Sequence, residues 1–239
     1  MHNEWIQAVV FDFDGTLAEP AIDFTAMKGE LAALARGYAP WAEDAGQTPA
    51  LEWLEALAGE LRRRDPVAAR RLLATSHARI REIESEAATR ARLFPFTRPV
   101  LAEFARLGVG TAVITRNCSC AVYAVFPDAR EAAGVVLTRD DVRRVKPDPQ
   151  HLSRALAALG AAPERAIMVG DHPLDMETGR CVGALKAGVL SGGSSRAALL
   201  EAGADFVVAG CSLLAGALVQ RGLLPPDAAV GVDRHGAHT

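Results

Sequence analysis

The chain has 239 residues, half of them hydrophobic, and a formal net charge of −3, so it can bury one large core or a core with a smaller satellite domain. This charge argues against a general nucleic-acid or membrane-surface binder. No apolar stretch reaches the length of a membrane span, and the first residues lack a signal-type apolar core, so we expect a cytoplasmic protein.

The first predicted element is a strand over residues 8–11 that ends in two carboxylates. The apolar run Ala-Val-Val-Phe is followed by Asp12-Phe13-Asp14-Gly15-Thr16-Leu17, which places acids at the C-terminal end of the strand. Side chains two apart on an extended strand share a face, and two close carboxylates need a cation or a proton to coexist. Taken by itself, this motif could also be an ordinary turn, or half a calcium loop whose other oxygen ligands are missing.

Residues 23–94 show helical periodicity and no convincing strand. Asp23 is placed to cap a helix that runs to residue 36, Thr48-Pro49 begins a second helix, and Asp65-Pro66 begins a third and longer one. Because the whole stretch has the size of a small subdomain, we predict a helical domain over residues 21–94.

From residue 97 onward, predicted helices and strands alternate. Helices are expected over residues 98–107, from 119, and over 150–159, 175–182, 195–202 and 212–221; strands are expected over 109–115, 134–138, 166–169, 185–190 and 206–208. This alternation predicts an α/β fold, with a Rossmann-like parallel sheet and helices on both faces. We assign residues 1–20 and 95–224 to this core and residues 225–239 to a flexible tail.

The cysteines agree with a reducing compartment. Four of them, at 118, 120, 181 and 211, are too few and too scattered for a disulfide framework. Cys118 and Cys120 could be a metal or redox pair, but one intervening residue is short for either kind of site, so we expect buried or inert thiols.

Polar side chains follow four predicted strands: Asp12 and Asp14, then Thr115, then Lys146 in a loop, then Asp171. Strands of a parallel sheet end at one edge, so these groups should converge there. Each has an ordinary explanation by itself, as a helix cap, a turn residue or a solvated charge. The chain has 26 basic residues, of which only three are lysines, and a position that keeps lysine can require a compact point charge. The combination predicts a functional site.

In order and context, these residues resemble the four motifs of the haloacid dehalogenase-like hydrolase superfamily, and the phosphoglycolate-phosphatase-like branch most of all. The helical stretch looks like that family's type 1 cap, which implies a lid that closes over the site. The second motif departs from the usual Thr-Asn, so Arg116 and Asn117 are weaker candidates for substrate contacts, and Arg116 could instead be a solvent-facing residue. The matching segments are Asp12 to Leu17, Thr115, Lys146-Pro147 and Gly170-Asp171-His172-Pro173-Leu174-Asp175.

The resemblance implies hydrolysis of a small phosphomonoester through an aspartyl-phosphate. Asp12 would be the nucleophile, and Asp14 would be the general acid and then the base. Thr115 would donate its hydroxyl to a phosphoryl oxygen, and Lys146 would supply positive charge to the transferring group.

The resemblance also implies Mg²⁺ as the cofactor. The carboxylates of Asp12 and Asp171 and the backbone carbonyl of Asp14 would hold it. Asp175, four residues after Asp171, is interpreted as a residue that orients the ligands rather than as a ligand itself.

Within the family, Asp14 favours phosphate chemistry, because a halide leaves without needing a proton. Phosphonate cleavage would need a Schiff-base lysine in the cap, where Lys28 is the only lysine. A phosphomutase remains an alternative, since it differs mainly in keeping water from the phospho-enzyme. Outside the family, the alternatives are a catalytically silent scaffold and a receiver domain, whose phosphorylated aspartate would end a middle strand instead.

The expected partner is a small phosphorylated metabolite, with neither nucleic acid nor membrane involved and with the oligomeric state open. The many arginines of the helical stretch are accompanied by acids, which is typical of a solvated helix face. His77 and His172 are expected to be solvent-facing or packed.

Overall fold

The computed structural model describes residues 5–226 and residue 228, which leaves most of the predicted tail outside the described residues. These described residues divide into two compact units, one made of those before residue 21 and after residue 90 and the other of residues 21–90. None of the described helices is long and apolar enough to cross a membrane.

The smaller unit consists of three helices: α1 (Phe24–Arg36), α2 (Ala50–Arg62) and α3 (Pro66–Ala88). The predicted caps are present, since Asp23 accepts a hydrogen bond from the amide of Ala26 at 2.9 Å and Asp65 accepts from the amides of Val67 and Ala68. The apolar positions of the three helices form one core, which includes Leu31, Leu54, Leu72 and Ile80.

The larger unit contains a six-stranded sheet in the order β3-β2-β1-β4-β5-β6, and every neighbouring pair is parallel. This confirms the predicted α/β class with a Rossmann-like sheet. The strands are β1 (Ala8–Phe11), β2 (Gly110–Ile114), β3 (Val135–Leu137), β4 (Ala166–Gly170), β5 (Leu185–Val189) and β6 (Phe206–Val208).

In the described part of the chain, seven helices accompany the sheet, together with single 3₁₀ turns at Arg139–Asp141, Pro163–Arg165 and Cys211–Leu213. They are α4 (Thr97–Arg106), α5 (Ser119–Val125), α6 (Ala129–Ala133), α7 (Pro149–Leu159), α8 (Pro173–Val182), α9 (Arg196–Glu201) and α10 (Leu214–Gln220). The short helix α6 was not predicted.

The central strand β1 is buried on both faces. Val9 and Phe11 belong to one hydrophobic cluster and Ala8 and Val10 to another, which explains why β1 reads as a continuous apolar run. The next strand in the chain is β2 on one side of β1, and β4 lies on the other side. The C-terminal end of β1 therefore lies where the strand order reverses, which is where ligands bind in open parallel sheets.

The division between the units falls after residue 90, four residues before the predicted boundary at 94. Residues 92–94 are held by the larger unit: the amide of Glu19 donates to the carbonyl of Arg92 at 2.8 Å, and that of Phe94 donates to Leu17 at 3.0 Å. Long-range pairing of this kind leaves no local signal in the sequence.

Candidate active site

Sheet register brings the polar ends of two strands, β1 and β4, together. Phe11, the last residue of β1, lies opposite Val113 in β2 and Val169 in β4. Asp12 follows directly, and its amide donates to the carbonyl of Val169 at 2.8 Å. Asp171 follows the last residue of β4, so the two acids emerge at the same edge of the sheet.

Lys146 forms the centre of a buried ionic cluster. Its Nζ lies 2.5 Å from Oδ1 of Asp12 and 2.7 Å from Oδ1 of Asp175, and all three side chains are buried. Oδ1 of Asp12 also accepts a hydrogen bond from the amide of Phe13 at 2.6 Å. The lysine therefore holds the two carboxylates in a fixed position. Its hydrogen bonds to them are strong, because they are charge-assisted and buried.

Asp171 is surrounded by backbone that only glycine permits. Its Oδ2 accepts from the amide of Gly193 at 3.2 Å. A Cβ on Gly192 would lie 1.8 Å from that oxygen, and one on Gly15, whose φ is +80°, would lie 2.6 Å from it. Both positions lack the space for a side chain, and the left-handed φ of Gly15 independently favours glycine.

One carboxylate oxygen from each of Asp12, Asp171 and Asp175 lies within 4.8 Å of the corresponding oxygens of the other two residues. Three carboxylates and one ammonium leave an excess of negative charge when all are ionised, and carboxylate oxygens are the donors that Mg²⁺ and Ca²⁺ prefer. Both oxygens of Asp175 already have donors, since Nζ of Lys146 binds Oδ1 and the amide of His172 donates to Oδ2 at 3.1 Å. The cluster can hold a divalent cation, with Asp12 and Asp171 better suited as ligands than Asp175.

Burial shapes the ionisation of this cluster. It raises the pKa of Asp12 to about 6, with Lys146 opposing the rise and Asp175 adding to it. It also raises the pKa of Asp171 to about 6, where the charge of Asp12 adds to the effect. For Lys146, burial works against the charged form, but the two carboxylates outweigh it and the net pKa is raised.

Asp14 is held by Asn117, which we predicted from the sequence only as a weaker candidate for a substrate contact. Nδ2 of Asn117 donates to Oδ2 of Asp14 at 3.3 Å, while Oδ1 of Asn117 accepts from the amide of Cys118 at 2.9 Å. The amide of Asn117 in turn donates to Oγ1 of the buried Thr115 at 3.0 Å. Asn117 thus connects two predicted site residues, Asp14 and Thr115.

Arg116, the other weak candidate, donates from Nη1 to the carbonyl of Lys146. Its own carbonyl accepts from Nη1 of Arg139 at 2.7 Å. The Arg116 guanidinium therefore braces the loop that carries Lys146.

Sequence reasoning missed His151, which lies behind Lys146 in α7. Its Nδ1 accepts from the amide of Lys146 at 3.3 Å and its Nε2 lies 3.0 Å from the carbonyl of Leu137, so the ring is neutral with the proton on Nε2. Burial lowers the pKa of His151 to about 4. A histidine on the buried face of a helix gives no sequence signal for this role.

The loop after β5 was also missed. Oγ of Ser191 donates to the carbonyl of Gly15 at 2.7 Å, and Gly193 donates to Asp171. The run Ser191-Gly192-Gly193 directly after a strand was the available signal.

The two histidines considered from the sequence are both exposed. His172 is the N-cap of α8, where its Nδ1 accepts from the amide of Leu174 at 3.2 Å. His77 lies on α3 in the helical unit.

Comparisons with known proteins show which family and which relatives the chain is similar to. A family model described as haloacid dehalogenase-like hydrolase matches residues 6–183. Phosphoserine phosphatase of Thermus thermophilus is 34% identical over 177 residues, which cover 63% of this chain and 68% of that protein. Pyrophosphatase PpaX of Bacillus cereus is 45% identical over 74 residues, which cover 31% of this chain and only 34% of that protein.

Solved structures share the fold at low sequence identity. A phosphonoacetaldehyde hydrolase-like protein from Oleispira antarctica matches with a TM-score of 0.67 and 17% identity, covering 95% of both chains. A protein described as a predicted phosphoglycolate phosphatase from Haemophilus somnus matches with a TM-score of 0.58 and 15% identity, covering 90% of this chain and 98% of that one.

Proposed function

Since the chain belongs to the haloacid dehalogenase-like hydrolase family, we propose that it is a Mg²⁺-dependent phosphatase that hydrolyses a small phosphomonoester through an aspartyl-phosphate on Asp12. The observation that carries this proposal is the contact of Lys146 with Asp12 and Asp175 beside Asp171. A buried carboxylate that is oriented by an ammonium group and stands next to a second carboxylate is suited to accept a phosphoryl group.

Asp12 acts as the nucleophile. Its Oδ1 is engaged by Phe13 and Lys146, so we assign the attack on phosphorus to Oδ2. The charge of Lys146 opposes the effect of burial on the pKa of Asp12, which stays near 6, so the carboxylate is ionised at neutral pH. The same ammonium neutralises charge on the transferring group.

Asp14 moves the proton. In the first step the Asp12 Oδ2–P bond forms, the ester P–O bond breaks and Asp14 protonates the leaving oxygen. In the second step Asp14 takes a proton from water as the water oxygen attacks phosphorus, and the Asp12 Oδ2–P bond breaks to release inorganic phosphate. The hydrogen bond from Asn117 to Asp14 orients the carboxyl group for both transfers.

The residues fit Mg²⁺, because the carboxylate excess around Asp12 and Asp171 calls for a cation with oxygen ligands. The carboxylates of Asp12 and Asp171 and the backbone carbonyl of Asp14 would hold it, while Asp175 orients Lys146. When bound, Mg²⁺ supplies charge neutralisation for the phosphoryl oxygens. Thr115 donates a hydroxyl to one of those oxygens.

The proposal is tested by measuring phosphate release from a panel of small phosphate compounds with Mg²⁺. The names of the relatives suggest the first compounds, which are phosphoserine, inorganic pyrophosphate and phosphoglycolate; sugar phosphates and nucleotides complete the panel. We expect turnover of at least one ester, its loss on chelation and its recovery on adding Mg²⁺. Uniform inactivity of the folded protein with Mg²⁺ would favour the silent scaffold, and conversion of a sugar phosphate into its isomer would favour a phosphomutase.

A further inference from the structure

Two cysteines lie beside the candidate active site with their sulfur atoms in contact. Sγ of Cys118 and Sγ of Cys120 are 2.9 Å apart, and both are thiols in the structure. A disulfide bond is about 2.05 Å long, so joining these atoms needs a movement of only about 0.9 Å. The single intervening residue argued for inert thiols. In the structure, however, Cys118 is the N-cap of α5 and Cys120 lies in its first turn, and their sulfur atoms are in contact.

The two thiols differ in accessibility. Cys120 is exposed, whereas Cys118 is fully buried. Oxidant-sensitive sites typically combine an accessible thiol that reacts first with a neighbouring thiol that resolves the product. Cys120 and Cys118 have this arrangement.

Cys118 is joined to the proposed proton-transfer residue by two hydrogen bonds. Its amide donates to Oδ1 of Asn117 at 2.9 Å, and Nδ2 of Asn117 donates to Oδ2 of Asp14 at 3.3 Å. Asn117 directly precedes Cys118, and its side-chain amide contacts both the Cys118 amide and the Asp14 carboxylate. A movement of the Cys118 backbone is therefore passed to the carboxyl group of Asp14.

We propose that Cys118 and Cys120 are a redox modification site, at which a peroxide forms an intramolecular disulfide that displaces Asn117 and lowers the activity. The loss of activity rests on the proposed function, whereas formation of the disulfide does not. The site gives the enzyme a reversible response to peroxide.

The chemistry balances with hydrogen peroxide as the oxidant. The thiolate of Cys120 attacks a peroxide oxygen, the O–O bond breaks, and the departing hydroxide takes up a proton to form water. Sγ of Cys118 then attacks Sγ of the Cys120 sulfenic acid; the S–O bond breaks and the departing hydroxide takes the proton of Cys118 as a second water. In total, two thiols lose two hydrogen atoms and one peroxide becomes two water molecules.

The test treats the full-length protein with hydrogen peroxide and follows two readouts. Intact mass and peptide mapping report the disulfide, and turnover of an ester from the panel reports the coupling to Asp14. We expect a mass loss of two hydrogen atoms located at residues 118 and 120, together with an activity loss of about 10- to 100-fold that dithiothreitol reverses.

Cys120→Ser is the test variant and Cys181→Ser is its matched control, because both cysteines are exposed. Before oxidation, both variants should turn over substrate like the wild type. After oxidation, Cys120→Ser should keep its activity and form no disulfide, whereas Cys181→Ser should behave like the wild type.

Oxidation that leaves residues 118 and 120 as thiols would overturn the proposal, as would a disulfide between them with unchanged turnover. If the protein hydrolysed none of the esters, the mass readout would still decide whether the disulfide forms. The two proposals can therefore fail separately.

Discussion

Nζ of Lys146 lies 2.5 Å from Oδ1 of Asp12, although the two residues are far apart in sequence and both are buried. Removing two charges from water is costly, and the contact persists because each ion compensates the other. It also sets the direction of the Asp12 carboxylate. The stability of this part of the protein and its proposed chemistry therefore depend on the same contact.

Replacing Lys146 by methionine should leave Asp12 and Asp175 without their shared cation. We expect Lys146→Met to lower the free energy of unfolding at pH 7 by about 3–5 kcal/mol, which is typical of breaking a buried ion pair. The loss should shrink as the pH falls towards 6, because removing the lysine raises the pKa of Asp12 above its wild-type value of about 6, so that Asp12 of the variant takes up a proton first and the uncompensated charge disappears. Urea unfolding at pH 7 and pH 5, with chelator present, measures both effects.

Lys186→Met is the control, since Nζ of Lys186 pairs at 2.9 Å with Asp205 and the two side chains are 15% and 40% exposed, against 3% and 11% for Lys146 and Asp12. Exposed pairs contribute about 0–1 kcal/mol. Equal destabilisation in the two variants would mean that the Lys146 cluster contributes nothing beyond an ordinary surface pair.

Asp171 is predicted to lower the stability of the cation-free protein and to serve as a ligand when the cation is present. Its pKa is raised from 3.8 to about 6, so ionisation is harder in the folded state, and the folded protein gains stability as the pH falls through this range. With chelator at pH 7, Asp171→Asn should therefore raise the free energy of unfolding by about 1–3 kcal/mol. Thermal unfolding with and without Mg²⁺ provides the measurement.

Mg²⁺ should stabilise the wild type, because a ligand that binds only the folded state favours it. The same concentration should leave the melting temperature of Asp171→Asn unchanged. If the two proteins gained the same stability from Mg²⁺, Asp171 would be eliminated as a ligand.

The alternation of helices and strands could be predicted because β1 and its neighbours are buried on both faces and read as apolar runs. Local chemistry also identified the caps Asp23 and Asp65, whose bonds lie within their own helices. The sequence resemblance further pointed to Lys146 and Asp171, which the structure brings beside Asp12.

Other features could not be predicted, because they depend on contacts between distant parts of the chain. Asn117 and Asp14 are 103 residues apart, and nothing near Asn117 in sequence indicates that its amide reaches this carboxylate. Gly193 donates to Asp171 only because the loop after β5 returns to the edge of the sheet. The departure from the usual Thr-Asn motif made Asn117 look weaker than its position in the structure indicates.

His151 should make the protein sensitive to acid. Its pKa is about 4 in the folded protein against an ordinary value of 6.5, so between these pH values the unfolded chain binds a proton that the folded protein does not. The stability it contributes is complete above pH 6.5 and is lost as the pH falls towards 4. The difference of about 2.5 pH units corresponds to about 3 kcal/mol.

Asp12 and Asp171 titrate in the opposite sense over the same range, so the test compares two proteins at each pH. The advantage of the wild type over His151→Gln in urea unfolding should shrink by up to about 3 kcal/mol between pH 7 and pH 4. A constant difference between wild type and His151→Gln would show that the ring is protonated as readily in the folded protein as in the unfolded chain.

Asp12→Asn tests the nucleophile. The amide keeps the shape of the side chain but is a poor nucleophile, so turnover of the active ester should fall by at least about 10³-fold while the circular dichroism spectrum stays the same. Asp205→Asn makes the same chemical change at an exposed residue and should keep wild-type turnover. Appreciable activity in Asp12→Asn would assign the attack to another group.

Substitutions at Gly192 and Gly193 test whether the loop after β5 positions the Asp171 carboxylate, which accepts a hydrogen bond from the Gly193 amide. An ideal Cβ on Gly192 would lie 1.8 Å from Oδ2 of Asp171, whereas one on Gly193 would meet no atom within 4 Å. Gly192→Ala should therefore displace the carboxylate, abolish the Mg²⁺-dependent rise in melting temperature and lower kcat/KM by about 10²-fold. Gly193→Ala adds the same methyl group one residue later and should stay close to the wild type in both measurements. If the two variants behaved alike, the loop would accommodate the methyl group without moving Asp171, and the tight packing around this carboxylate would play no part in binding the cation.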